Sequence, residues 1–245
     1  NYYYMGWFYL AVPIRAFGIL PEYAFNLGVP TFAATAASVA FAVVSALVGA
    51  VRPRAAAVRR AGEPLLAGAF AAFLLVAIGN LDAAHQWIER LQAVNRWSLA
   101  SGTPVVGGAV GILGGLWRWL FEGAALPPFD WWRSSRVHFG SFDITEFPYW
   151  SFLFADLHPH LMGIPFFTGL VGVGVALVLA AAGRDRTRPW LLAALAGLFV
   201  GLIRTVHTWD FPTAALVAAA SILLAALLAP GSIERRAWTA LGQLA

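Results

Sequence analysis

"AFNLGVPTFAATAASVAFAVVSALVGAV" runs from Ala24 to Val51 without one charged side chain. A helix needs about 20 predominantly apolar residues to cross the hydrocarbon core of a bilayer, and this stretch exceeds that length. Four further runs share its character: Pro64–Asn80, His160–Ala182, Trp190–Val206 with Arg204 as its one charge, and Phe211–Ala229. Met5–Leu20 is a sixth, weakened by Pro13 and Arg15. Composition agrees: 60% of the 245 residues are hydrophobic, mean hydropathy is +0.72 and 11% are charged, against about 25% in soluble domains. The fold class is therefore all-α, a polytopic transmembrane bundle of five or six spans near residues 5–20, 24–51, 64–80, 160–182, 190–206 and 211–229. The abundant Ala, Gly and Ser suit close helix packing in lipid.

Every basic residue is arginine. Arg52, Arg54, Arg59 and Arg60 join the second and third runs, Arg184, Arg186 and Arg188 the fourth and fifth, and Arg235 and Arg236 follow the last. The positive-inside rule places all three clusters in the cytoplasm, leaving residues 81–150 and the turn His207–Asp210 outside. Within 81–150, Ala84, Trp87, Ile88, Leu91 and Val94 mark one face of an amphipathic helix, suited to the membrane interface. Val105–Phe121 is glycine-rich and ends "LWRWLF", an aromatic-belt pattern. Without cysteine there is no disulfide or thiol chemistry. The arginines flank apolar runs and form no basic stripe, which argues against nucleic acid. The start at Asn1, with neither Met nor a secretory signal pattern, reads as one membrane domain, 1–245, within a longer chain.

On this topology His85, His138, His158, His160 and His207 all face outward, with Glu146, Asp156, Asp210, Arg133 and Arg136. Ionisable groups at the mouth of a bundle point to function. "EFP" (Glu146), "DLHP" (Asp156) and "DFP" (Asp210) each set a carboxylate just ahead of a proline that opens an apolar run. That is how an acidic N-cap reads, and helix N-termini gathered at one surface would favour an anion, phosphate above all. Arg133 and Arg136 could hold the same phosphate, or simply contact headgroups. Asp156, His158 and His160 would supply three ligands for a divalent ion, Mg²⁺ or Mn²⁺ ahead of Zn²⁺; alternatively the imidazoles are hydrogen-bonding groups at a helix start. Asp156 and Glu146 are the candidate bases. Tyr3, in "NYYY", is an interface anchor or a contact for a sugar or polyprenyl chain, and Trp209 is a stacking surface.

"NYYYMG", "GNLDAA" (Gly79–Ala84), "FDWWRSSRV" (Phe129–Val137), "TEFPYWSFLFADLHPH" (Thr145–His160) and "HTWDFPT" (His207–Thr213) occur in an order that resembles the YYY-motif membrane proteins, the Chlor-Arch-YYY domain. The family pattern reads "NEFP" and "NTWD". Thr145 and His207 replace those asparagines here, which puts an amide role there in doubt. The layout is similar to that of GT-C membrane glycosyltransferases. The resemblance implies sugar transfer from a polyprenyl-phosphate donor at the non-cytoplasmic face of a prokaryotic plasma membrane, with membrane lipid and lipid-linked sugar as partners. Enzymes of that class use acidic residues of a first outer loop, often with a divalent metal; that loop would precede the tyrosine motif. A transporter or channel, and a non-catalytic membrane subunit, are the competing readings.

Overall fold

The computed structural model describes residues 4–51, 62–79, 81–98, 103–137, 145–183, 188–229 and 242. Tyr3, His138 and the arginines of 52–60, 184–186 and 235–236 lie outside the described residues. In chain order the helices are α1 (Met5–Phe17), α2 (Pro21–Ala50), α3 (Gly62–Ala77), α4 (Asp82–Val94), α5 (Pro104–Phe121), α6 (Trp131–Ser135), α7 (Pro148–Phe154), α8 (Pro159–Ala182), α9 (Arg188–Val206) and α10 (Phe211–Leu228), with a 3₁₀ turn, Thr208–Asp210, before the last. Among the described residues there is no strand, only an isolated antiparallel bridge between Arg136 and Glu146. The chain divides into two compact units, residues 1–77 with 151–245, and residues 78–150.

In the larger unit α8 is the central helix, packed against α2, α9 and α10. Pro159 opens it at a position where the missing N–H costs nothing. Its buried leucines stack the core in three layers. Leu161 and Met162 meet Val29, Leu157 and Val206; Leu170 meets Ala196, Ile203 and Ala214; Leu177 meets Ala193, Ile222 and Ala225. Away from this seam Leu66, Leu191 and Leu216 are about as exposed as polar surface residues would be. In water such a surface would drive aggregation; lipid covers it.

Among the described residues five helices are long and apolar enough to cross a membrane: Pro21–Ala50, Pro104–Phe121, Pro159–Ala182, Pro189–Val206 and Thr208–Leu228, or six if α3 and α4 together count as one span. The number agrees with the sequence reading, but the membership does not. Met5–Leu20 yields a helix of 13 residues, about 20 Å at the usual rise and short of the ~30 Å core. It stops because Gly18 takes the left-handed conformation (φ 65°) and returns its N–H to the Ile14 carbonyl. Conversely α5, assigned to the outer segment by the arginine pattern, has the length and apolarity of a span.

In the unit 78–150, α4 packs on α5. The expected helix is present, yet Gln86, from its polar side, is buried along with Leu91. Burial is tolerable because the Gln86 amide is fully used: it donates to Asp82 (2.7 Å) and to the Asp130 carbonyl (2.9 Å) and accepts from the Asp130 N–H (2.8 Å). Gly111 and Gly115 of α5 line the contact. A Cβ on Gly115 would sit 1.9 Å from the Leu91 carbonyl oxygen, whereas one on Gly107 would meet nothing within 4 Å. Gly115→Ala is therefore expected to destabilise this unit by about 1–3 kcal/mol through overpacking, with Gly107→Ala unchanged or slightly stabilised by helix propensity. Thermal unfolding of the two variants side by side checks this.

Candidate functional site

The stretch "FADLHPHLMGIPF" (Phe154–Phe166) forms the corner between α7 and α8. Ala155 makes the turn at φ 58°, the only non-glycine residue with positive φ among the described residues. The left-handed conformation costs a residue with a Cβ roughly 1–2 kcal/mol. The His158 N–H then donates to the Asp156 carbonyl at 2.8 Å, a three-residue turn around buried Leu157. His158 is the N-cap of α8, and its carbonyl accepts from Met162 N–H. Ala155→Gly is expected to raise the unfolding midpoint and Ala155→Val to lower it, each by about 1 kcal/mol. Shifts of the same sign in a denaturation series would refute the strained turn.

Neither Asp156 nor Asp210 acts as a side-chain cap. Asp156, two residues before the cap position, places its carboxylate on His158 Nδ1 at 2.5 Å. Asp210 precedes α10 without a side-chain cap bond and turns to His207 Nδ1 at 2.9 Å. That second contact is close but not a well-aligned hydrogen bond. The residue that does cap a helix is Asp130, which accepts from Trp132 N–H (2.9 Å) and Arg133 N–H (3.1 Å) at the start of α6.

Two Asp–His dyads thus stand at one end of the bundle, linked by His160. Its ring centroid is 5.3 Å from that of His158 and 6.4 Å from that of His207. His160 Nε2 lies 3.1 Å from the hydroxyl of buried Ser151. Packing is close here: a Cβ on Gly163 would already touch Asp210 Oδ2 and His207 Cβ, at 3.4 and 3.6 Å. The dyads differ in access. His158 and Asp156 keep 58% and 41% of their side-chain exposure, His207 only 17%. A solute reaching the corner therefore meets Asp156–His158 first. Trp209 is exposed on the 3₁₀ turn. Ser151 escaped the sequence reading because it lies in the helix before the turn, with no motif tying it to His160.

Glu146, Arg133 and Arg136 belong to the other unit. Arg136 is buried, pairs with Glu146 at 3.2 Å and lies 3.8 Å over the Trp132 ring. Arg133 reaches Asp82 at 2.5 Å and Glu89 at 3.4 Å. Burial pushes the Asp82 carboxyl up, but the hydrogen bonds from Arg133 and Gln86 and the nearby positive charge outweigh it, so its pKa falls below the usual carboxylate range. The Asp82 hydrogen bond in turn raises the pKa of Arg133. A phosphate arriving at either arginine would compete with carboxylates already in place. His85 pairs with Glu89 on the surface of α4, at 3.5 Å.

Of the residues read as metal ligands, His158 keeps Nε2 open, and a carboxylate on Nδ1 is the usual outer partner of a metal-bound imidazole. Asp156 occupies His158 Nδ1 and Ser151 stands at His160 Nε2. Among the described residues no three His, Asp or Glu side chains are disposed to hold one ion.

The profile of DUF2298, described as an uncharacterized membrane protein family, matches residues 1–244. The chain belongs to the DUF2298 family. No curated protein and no solved structure matches it. Membership of DUF2298 establishes an integral membrane protein and leaves its chemistry to be argued from the corner between α7 and α8.

Proposed function

We propose that this DUF2298 protein transfers a sugar from a polyprenyl-phosphate donor at the non-cytoplasmic membrane face, with Asp156–His158 as the general base. The observation that carries the reading is the exposed Asp156–His158 contact at the head of a membrane helix. The resemblance of its ordered motifs to those of YYY-motif proteins, and through them to a GT-C layout, supports it. A carboxylate on Nδ1 orients the ring and fixes its tautomer, leaving Nε2 to take a proton. In the proposed step the acceptor hydroxyl attacks the anomeric carbon while its proton passes to His158 Nε2. The bond from that carbon to the phosphate oxygen breaks, and the lipid phosphate leaves with the electron pair. Trp209 offers a ring face to the sugar.

The test is transfer from labelled polyprenyl-phosphate sugars by the full-length protein and its Asp156→Asn variant, beside solute flux in proteoliposomes. Transfer that depends on Asp156 supports the reading. Flux that depends on Asp156, without transfer, replaces it with transport.

A further inference from the structure

In the unit 78–150, α4 and the segment after α5 flank an open groove with charged side chains on both walls. Gln86, Glu89 and Arg90 line it from one face of α4, and Pro127, Asp130 and Arg133 from the opposite wall. Its volume is about 220 Å³, below the ~300–1,000 Å³ of pockets for drug-sized ligands, which suits a single small ring. The walls are tied together by the paired Gln86–Asp130 hydrogen bonds and by Arg90 Nε donating to the Pro127 carbonyl at 2.6 Å. The groove is thus preorganised, and a ligand need not order it.

Charge decides the ligand class. The lining holds two guanidiniums, Arg90 and Arg133, and two carboxylates, Glu89 and Asp130, so the sum is zero. An anion gains nothing here and would have to draw Arg133 away from Asp82 and Glu89. Alternating fixed donors and acceptors instead match hydroxyl groups, each of which donates and accepts. Aromatic faces adjoin the groove. The Arg90 guanidinium lies 4.8 Å from the Trp87 ring and 5.7 Å from that of Phe129. Exposed Trp131 packs against Phe129 with the rings tilted by 60° and their centroids 4.7 Å apart.

We infer that this groove binds one neutral sugar ring, its hydroxyls held by Glu89 and Arg90. The site does not rest on the reaction proposed above. The ring can belong to a free glycan or to a prenyl-phosphate sugar, which present the same hydroxyls.

Saturation-transfer NMR on the full chain in lipid nanodiscs tests it, with methyl glycosides of glucose, mannose and galactose as probes. At least one glycoside is expected to receive saturation. The signal should fall about tenfold in Glu89→Gln and in Ala93→Phe, which fills the groove without removing a polar partner. Inorganic phosphate should not compete. Stronger binding of the corresponding prenyl-phosphate sugars would assign the groove to a donor, and equal binding to an acceptor. No saturation of any glycoside, full binding by Ala93→Phe, or displacement by phosphate would overturn the site. Because binding is read without turnover, a failed transfer assay leaves this result intact.

Discussion

His158→Ala in the full-length protein is expected to lower sugar transfer by about 10²–10⁴-fold, the usual contribution of a general base. His158 is 58% exposed and caps α8 through its backbone, with no side-chain cap bond. The fold should therefore survive the change, and an unaltered unfolding midpoint is the control. Asp156→Asn keeps the shape but removes the charge beside Nδ1, 2.5 Å away. Its effect should be large yet smaller than that of His158→Ala, and the double variant should cost little more than His158→Ala alone, because groups acting as one unit are not additive. A transfer rate within twofold of the unmodified protein in His158→Ala would remove the dyad from the reaction.

Arg136→Ala should be the most destabilising single substitution in the unit 78–150, at about 3–5 kcal/mol, the range for breaking a buried ion pair from one side. The side chains of Arg136 and Glu146 keep only 8% and 18% of their exposure. The backbone joins the same two segments, with Val137 N–H on the Thr145 carbonyl at 2.8 Å and Phe147 N–H on the Ser135 carbonyl at 2.9 Å. Loss of the guanidinium also strips the Trp132 ring of its cation. Arg136→Met with Glu146→Leu should recover most of the loss, since a hydrophobic pair avoids desolvating two charges. Chemical denaturation of the single and double variants measures both. A shift below ~1 kcal/mol in Arg136→Ala would mean that the pair behaves as a surface salt bridge.

The span count was legible because length and apolarity are properties of one segment at a time. Membership was harder. Arginine bias read α5 as part of an outer segment, yet hydropathy cannot tell apolar surface meant for lipid from surface meant for a neighbouring helix. Gly111 and Gly115 of α5 turn out to face α4. The acids before Pro148, Pro159 and Pro212 looked alike on paper. Their carboxylates go to Arg136, His158 and His207, while Asp130, which precedes no proline, is a side-chain cap.

Local chemistry was thus enough to declare a bundle of membrane helices and to single out "DLHPH" and "HTWD" as its polar exceptions. It could not show that the two stretches meet, because residues 160 and 207 come together only after α8 and α9 have packed along their full length. Nor could it find Ser151 or the buried amide of Gln86. A carboxylate, imidazole or amide accepts whichever donor the folded chain brings within about 3 Å, and that choice depends on where distant segments land, not on the residues beside it.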